Sequence, residues 1–195
     1  NIRFAAPSDG ARLRRIYAQY IDTPVTFECS LPGSDAFSER IQRISAAYPF
    51  LVCENQDGTA AGYAYAHRQM EREAYQWNAE LSVYLDADCT ARGLGTRLYR
   101  ALFAMLRLQG VKTVYGAVTV PNPASERLHT ACGFTKLGTY HSTGYKCGKW
   151  HDVAWFEKSI APCAGPPQPV LPIHAVPQAQ LAAILETHKK ARGRG

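Results

Sequence analysis

The sequence predicts an α/β protein, a mixed β-sheet flanked by helices, and three observations carry that reading. Residues 76–86 alternate, with Trp77, Ala79, Leu81, Val83 and Leu85 at odd positions and Gln76, Asn78, Glu80, Ser82, Tyr84 and Asp86 at even ones. That is the period of a strand with one buried and one polar face. Apolar residues recur at helical spacing at Leu13, Ile16, Tyr17, Tyr20 and Ile21, and again at Leu98, Leu102, Met105 and Leu106. A tight turn joins two of the strands while helices separate others, an order that puts antiparallel and parallel neighbours in one sheet.

In chain order, Ile2-Arg3-Phe4-Ala5 is a short first strand. Ser8 or Asp9 offers an N-cap to the first helix, because a short polar side chain there accepts from a free backbone N–H. A second helix covers residues 34–47, with Phe37, Ile41 and Ile44 on one stripe and Pro49 closing it. Residues 50–54 form a strand, Asn55-Gln56-Asp57-Gly58 a turn, and residues 59–67 the returning strand of a hairpin. The alternating strand then runs into Thr90-Ala91-Arg92-Gly93-Leu94-Gly95-Thr96 and a helix that Gly110 is placed to terminate. Residues 111–120 are a β-branched strand, and Pro121-Asn122-Pro123 opens a helix to about Ala131. Gly133-Phe134 leaves that helix, and the last strands are expected near residues 135–140 and 152–158. Beyond Ile160, Pro162, Pro166, Pro167, Pro169, Pro172 and Pro177 imply an extended segment. Residues 1–160 therefore read as the folded domain, and residues 161–195 as a partly ordered proline-rich arm with a short helix over 178–190.

Composition narrows the function. With 195 residues, 46% hydrophobic and 19% charged, the chain is globular rather than disordered. No apolar run approaches the ~18 residues of a membrane span, so no membrane partner is expected. The net charge is +6, but Lys189, Lys190, Arg192 and Arg194 supply part of it, so a nucleic-acid face is not expected either. The six cysteines form no C-x-x-C pair and no zinc spacing, so no metal is expected. Without the apolar core of a signal peptide, the chain reads as reduced and cytoplasmic.

Three constellations carry chemistry. In the turn Ala91-Arg92-Gly93-Leu94-Gly95-Thr96, two glycines let a ligand approach the backbone, and the following helix start offers free N–H groups and a positive dipole end to a phosphate. Arg92 adds a charge. The same turn is also compatible with an ordinary strand-to-helix connection. Asn122, Ser125 and His129 lie at the start and on one face of a helix, where they can either hydrogen-bond a ligand and move a proton or serve as a cap, a surface hydroxyl and a core ring. Glu80 is a carboxylate on the polar face of the strand that ends at the glycine turn.

Together these residues resemble the GNAT superfamily of acetyl-CoA-dependent N-acetyltransferases. The glycine turn is similar to its pyrophosphate loop, with Thr90 where Gln or Arg is usual, and residues 122–134, NPASERLHTACGF, match its second motif. Further segments resemble the phosphinothricin N-acetyltransferase branch, which acetylates amino acids. They are Tyr48-Pro49-Phe50-Leu51-Val52, Ala61-Gly62-Tyr63-Ala64-Tyr65, residues 72–80 (REAYQWNAE), residues 144–153 (GYKCGKWHDV) and the proline arm. The resemblance implies a splayed sheet and acetyl-CoA as co-substrate. Backbone groups of Val83, Tyr84 and Leu85 would bind the pantetheine arm, residues 91–96 the pyrophosphate, and Asn122 with Ser125 the far side. It implies Glu80 as general base and His129 as a second catalytic group, acid or base. Arg72, Tyr75, Phe27 and Trp155 would form the acceptor site, with Met70 where a basic residue is common. The acceptor would be the α-amino group of a small amino acid such as phosphinothricin, methionine sulfoximine or methionine sulfone, and the assembly a homodimer. The alternatives are another amine, a protein amino group, or a CoA-binding module without turnover.

Overall fold

The computed structural model describes residues 1–189. Its strands are β1 (Ile2–Phe4), β2 (Phe50–Glu54), β3 (Ala60–Arg68), β4 (Asn78–Leu85), β5 (Thr113–Val120), β6 (Thr135–Lys146) and β7 (Lys149–Ser159). Its helices are α1 (Gly10–Ala18), α2 (Ser34–Ser45), α3 (Leu94–Gln109), α4 (Pro123–Ala131) and α5 (Gln178–Thr187). The strands form a seven-stranded sheet in the order β1-β2-β3-β4-β5-β7-β6. All neighbours are antiparallel except β4 and β5, which are parallel and joined through α3.

Strand alternation sends side chains to two cores. Leu51, Cys53, Ala64, Ala66, Ala79 and Leu81 pack with α3, whose Leu98, Leu102, Met105 and Leu106 are fully buried. Phe50, Val52 and Tyr63 point the other way, against Leu13, Ile16 and Tyr17 of α1 and Phe37 and Ile41 of α2. The even face of β4 is therefore not a solvent face as its polar residues suggest. Tyr84 packs there on Tyr17 and Tyr63, with ring centroids 5.0 and 5.3 Å apart. At the start of the chain, Asp9 accepts from Ala6 N–H and from both Arg3 and Arg12, and those arginines also hold Glu54. Asp9 thus stands at the entrance of α1 and ties β1, α1 and β2 together rather than capping with its side chain.

Three boundaries differ from the sequence reading. α1 stops at Ala18, and Tyr20 and Ile21 lie in the turns that follow it. The last two strands are longer than expected, because Cys147 and Gly148, both at positive φ, form a two-residue turn that lets β6 and β7 pair up to Lys146 and Lys149. The proline-rich segment docks on the body. Trp77 Nε1 donates to Gln168 C=O, the Gln109 amide donates to Ala47 C=O and Leu171 C=O, and Ile173, Val176 and Leu181 enter the α3-side core. Lys190, Arg192 and Arg194, and the last residue of the expected 178–190 helix, lie outside the described residues.

Candidate active site

The sheet parts at its centre. β4 pairs with β5 only at Asn78, Ala79 and Glu80, opposite Thr113, Val114 and Tyr115. β4 continues beside β3 as far as Leu85, and β5 beside β7 as far as Val120. From Leu81 onward, the edge of β4 that faces β5 is thus unpaired by a strand. Leu85 C=O accepts from Tyr20 Oη at 2.5 Å. Val83, Tyr84 and Leu85 all lie on this stretch, so an extended ligand arm can add to it as a strand would.

The gap leads to the N-terminus of α3. Gly93 precedes the helix at φ +71°, and no side chain caps its first turn. The leading N–H groups of a helix have no carbonyl partner within it, and they carry the positive end of the dipole. Ala91 also has positive φ, and Ala91, Arg92 and Gly93 are exposed. The two glycines have different reasons to be there. A Cβ on Gly93 would meet nothing within 4 Å, so its left-handed backbone is the requirement, whereas a Cβ on Gly95 would stand 3.2 Å from the Leu128 side chain of α4. Gly95 therefore sets helix packing, a role the sequence reading gave to ligand approach.

Asn122 caps α4, its side-chain carbonyl accepting from Ser125 N–H at 3.1 Å while Glu126 Oε1 accepts Asn122 N–H. His129 Nδ1 lies 2.8 Å from Ser125 C=O, confirming that the two residues share a face, and since a carbonyl only accepts, Nδ1 is the protonated nitrogen. The ring is 3% exposed and packs on Phe134 and Phe156, with Tyr99 Oη 3.5 Å from Nε2. It stands in the core directly behind Gly116, where a Cβ would come 2.2 Å from Nε2, rather than in an open cleft. Burial lowers its pKa, so the ring is neutral at pH 7. An imidazolium acting as general acid does not fit this environment.

Glu80 lies on the opposite face, half-buried, at the last paired position before the gap. Burial pushes its carboxyl above the ordinary range, and the nearby His67 pulls it partly back. Beside it on that face is a cavity of about 890 Å³, lined among others by Tyr17, Glu28, Arg40, Tyr65, His67 and Tyr84. Arg40 binds Glu28 through both terminal guanidinium nitrogens, and Tyr17 Oη reaches Thr26 Oγ1 at 2.6 Å and Glu28. Burial works against the Glu28 carboxylate, yet Arg40 and Tyr17 hold it below its usual range.

The structure does not bring the four expected acceptor residues together. Arg72 and Tyr75 are exposed, at a 3₁₀ turn (Glu73–Tyr75), and do not line the cavity, although Glu71 and Gln76 on either side of them do. Met70 is likewise exposed and outside it. Phe27 packs over Gly144, where a Cβ would meet its ring at 2.4 Å, and beside His151. Trp155 lies on β7 against Tyr140, its Nε1 buried and without a hydrogen-bond partner. Arg40 and His67 were missed. A signal for Arg40 was present, since it sits one residue before Ile41, at the edge of the apolar stripe of α2.

A parted sheet with an open strand edge, leading to an uncapped helix N-terminus, defines a protein that holds an extended phosphate-bearing ligand between two strands. Residues 2–155 match the acetyltransferase (GNAT) domain family, and the chain belongs to that family. It is 38% identical over 173 residues to the phosphinothricin N-acetyltransferase of Streptomyces viridochromogenes, covering 88% of this chain and 93% of that one. It is 32% identical over 125 residues to the L-methionine sulfoximine/L-methionine sulfone acetyltransferase of Pseudomonas aeruginosa, 64% of this chain and 73% of that one. The structure of a phosphinothricin acetyltransferase from Sinorhizobium meliloti in complex with AcCoA superposes with a TM-score of 0.83 at 28% identity, covering 86% of this chain and 92% of that one.

Proposed function

We propose that this protein transfers the acetyl group of acetyl-CoA to the α-amino group of a small amino acid of the phosphinothricin, methionine sulfoximine or methionine sulfone type. The observation that carries it is the parting of the sheet immediately after Glu80. It leaves a binding edge for acetyl-CoA beside the carboxylate, and the polar cavity opens on the same face as that carboxylate. The acceptor names are those of the relatives.

The residues fit acetyl-CoA along its length. Val83, Tyr84 and Leu85 would hold the pantetheine arm by backbone, and residues 91–96 with Arg92 the pyrophosphate. Asn122 and Ser125 flank the far side through the start of α4. Bound there, acetyl-CoA supplies a thioester carbonyl open to direct attack by an amine. Glu80 takes the proton of the acceptor ammonium, a task its raised pKa suits because a stronger base is left at neutral pH. His129, neutral and buried behind Gly116, packs the core under this part of the sheet, with Tyr99 Oη 3.5 Å from its Nε2. For the acceptor carboxylate the cavity offers Arg43 and Arg68, and Arg72 stands on the loop at its rim, where its planar fork can meet a phosphinate, sulfone or sulfoximine head.

A homodimer is part of the proposal. Leu137, Tyr140, Tyr145 and Trp150 are exposed on β6 and β7, more apolar surface in one place than a free edge hairpin needs. All six cysteines are free, which supports a reducing cytoplasmic setting. A thiol-release assay with acetyl-CoA and a panel of amino acids, peptide N-termini and lysine analogues tests the function. Turnover confined to peptides or lysine would move the acceptor to another class, and thiol release with none of them would refute acetyl transfer to an amine.

A further inference from the structure

The antiparallel register of β3 and β4 sets His67 opposite Glu80. The imidazole Nε2 is 4.0 Å from the carboxylate Oε1, and Nδ1 is 2.9 Å from Arg68 C=O. Because a carbonyl only accepts, Nδ1 carries the hydrogen, and in the neutral ring Nε2 presents a lone pair to Glu80. A carboxylate presents lone pairs as well. The approach is attractive only when one proton sits on one of the two groups, and the two stand close enough for one water to join them. Glu80 does not line the cavity, whereas His67 does. The imidazole thus stands between the half-buried carboxylate and the open cavity.

We propose that His67 is the proton-relaying partner of Glu80, a role that rests on the acetyl transfer proposed above. Through one bridging water, since 4.0 Å is beyond hydrogen-bond reach, it receives at Nε2 the proton that the carboxylate takes from the acceptor ammonium, and it releases that proton into the cavity. The acceptor arrives as R–NH₃⁺. One proton passes to Glu80 and on to His67, which frees the nitrogen lone pair to form the C–N bond as the thioester C–S bond breaks. A second amine proton goes to the sulfur. The products are the amide, the free thiol and one proton, which leaves through His67.

Around the imidazole stand Glu80 on β4, Tyr65 and Arg68 on β3, Arg40 and Arg43 on α2, and the carboxylates of Glu28 and Glu71 from the loops around the cavity. Glu28 is already bound by Arg40, which leaves Arg43, Arg68 and Glu71 as the other charged groups of the lining. Imidazole is also the side chain whose ordinary titration falls between pH 5 and 8.

The test is kcat/KM against pH for the wild type and His67→Gln with an accepted amino acid, alongside acetyl-CoA affinity. His67→Gln should bind acetyl-CoA as the wild type does and lose at least ~10-fold in kcat/KM at pH 7, less than the ~10²–10⁴-fold of losing the base itself. The deficit should widen as pH falls, because the carboxylate without its cationic neighbour stays protonated to higher pH. Superimposable profiles overturn the relay alone. A wild type that acetylates no amine overturns the proposed function and the relay with it. A second measurement needs no turnover. With ¹⁵N-labelled histidine, the ring titration of His67 should move when Glu80→Gln is introduced, and an unmoved titration also overturns the pairing.

Discussion

Glu80 and His129 stand on opposite faces of the same parted sheet, and burial acts on both by disfavouring the charged form. The Glu80 pKa rises and that of His129 falls. Their surroundings then separate them. Glu80 looks past His67 to a polar cavity, whereas His129 is enclosed by Phe134, Phe156 and Tyr99 with Nδ1 already bound to Ser125 C=O. A half-buried ionisable group with a polar exit can exchange protons during a reaction. A perturbed group sealed in aromatic packing mainly organises what lies around it. A shifted pKa therefore points to a proton carrier only together with a route for the proton.

The comparison breaks most visibly at Glu80. Glu80→Gln keeps the shape and removes the base, so kcat should fall by about 10²–10⁴-fold while acetyl-CoA binding, read by calorimetry, changes little. Stability should move the other way. A carboxyl whose folded pKa is raised binds more protons folded than unfolded above the ordinary value of 4.5, so its burial costs stability as pH rises above that value. Denaturant titration should find Glu80→Gln more stable than wild type at pH 7 and equal to it at pH 4.

His129 should show the opposite slope. A histidine whose folded pKa is lowered binds fewer protons folded than unfolded, so its contribution is complete above about pH 6.5 and is lost as pH falls below it. His129→Phe keeps the ring and removes that slope, whereas His129→Ala empties the aromatic packing at a cost on the order of 3 kcal/mol. Turnover retained in His129→Phe would establish an organising role. Turnover lost in a folded His129→Phe would show that a ring nitrogen is needed.

Smaller effects separate the two glycines. Gly93→Ala must hold an L-residue at φ +71°, costing roughly 1–2 kcal/mol, and should weaken acetyl-CoA binding without loosening the helices. Gly95→Val should lower the melting temperature by pressing on Leu128, with any loss of acetyl-CoA affinity secondary. At the acceptor side, Arg68→Ala should raise the acceptor KM more than Arg72→Ala. Arg68 lines the cavity, while Arg72 is exposed and its contacts are screened. The reverse order would make Arg72, and not the cavity arginines, the main anchor of the acceptor.

Much of this arrangement is legible in the sequence wherever a local signal exists. The alternation of 76–86 locates β4, Gly110 ends α3 at φ +98°, and Asn122 caps α4. The extension of β6 and β7 through residues 141–151 is not legible, because His141, Ser142, Thr143 and Gly144 carry no apolar alternation and register comes from the Cys147-Gly148 turn. The cavity is least legible of all. Tyr17, Glu28, Arg40 and His67 come from four separate segments, and only the tertiary fold brings them together. Family resemblance pointed instead to Arg72 and Tyr75, which the fold leaves on the surface.

The central claim is that the β4 edge released after Glu80, with the start of α3, is where acetyl-CoA binds. Site-resolved amide hydrogen exchange with and without acetyl-CoA tests it directly. The account predicts new protection at Val83 and Leu85, whose N–H groups face away from β3, and at residues 93–96, with unchanged exchange in β1 and β2. Protection confined to other segments, with Val83 and Leu85 exchanging as fast as before, would contradict it.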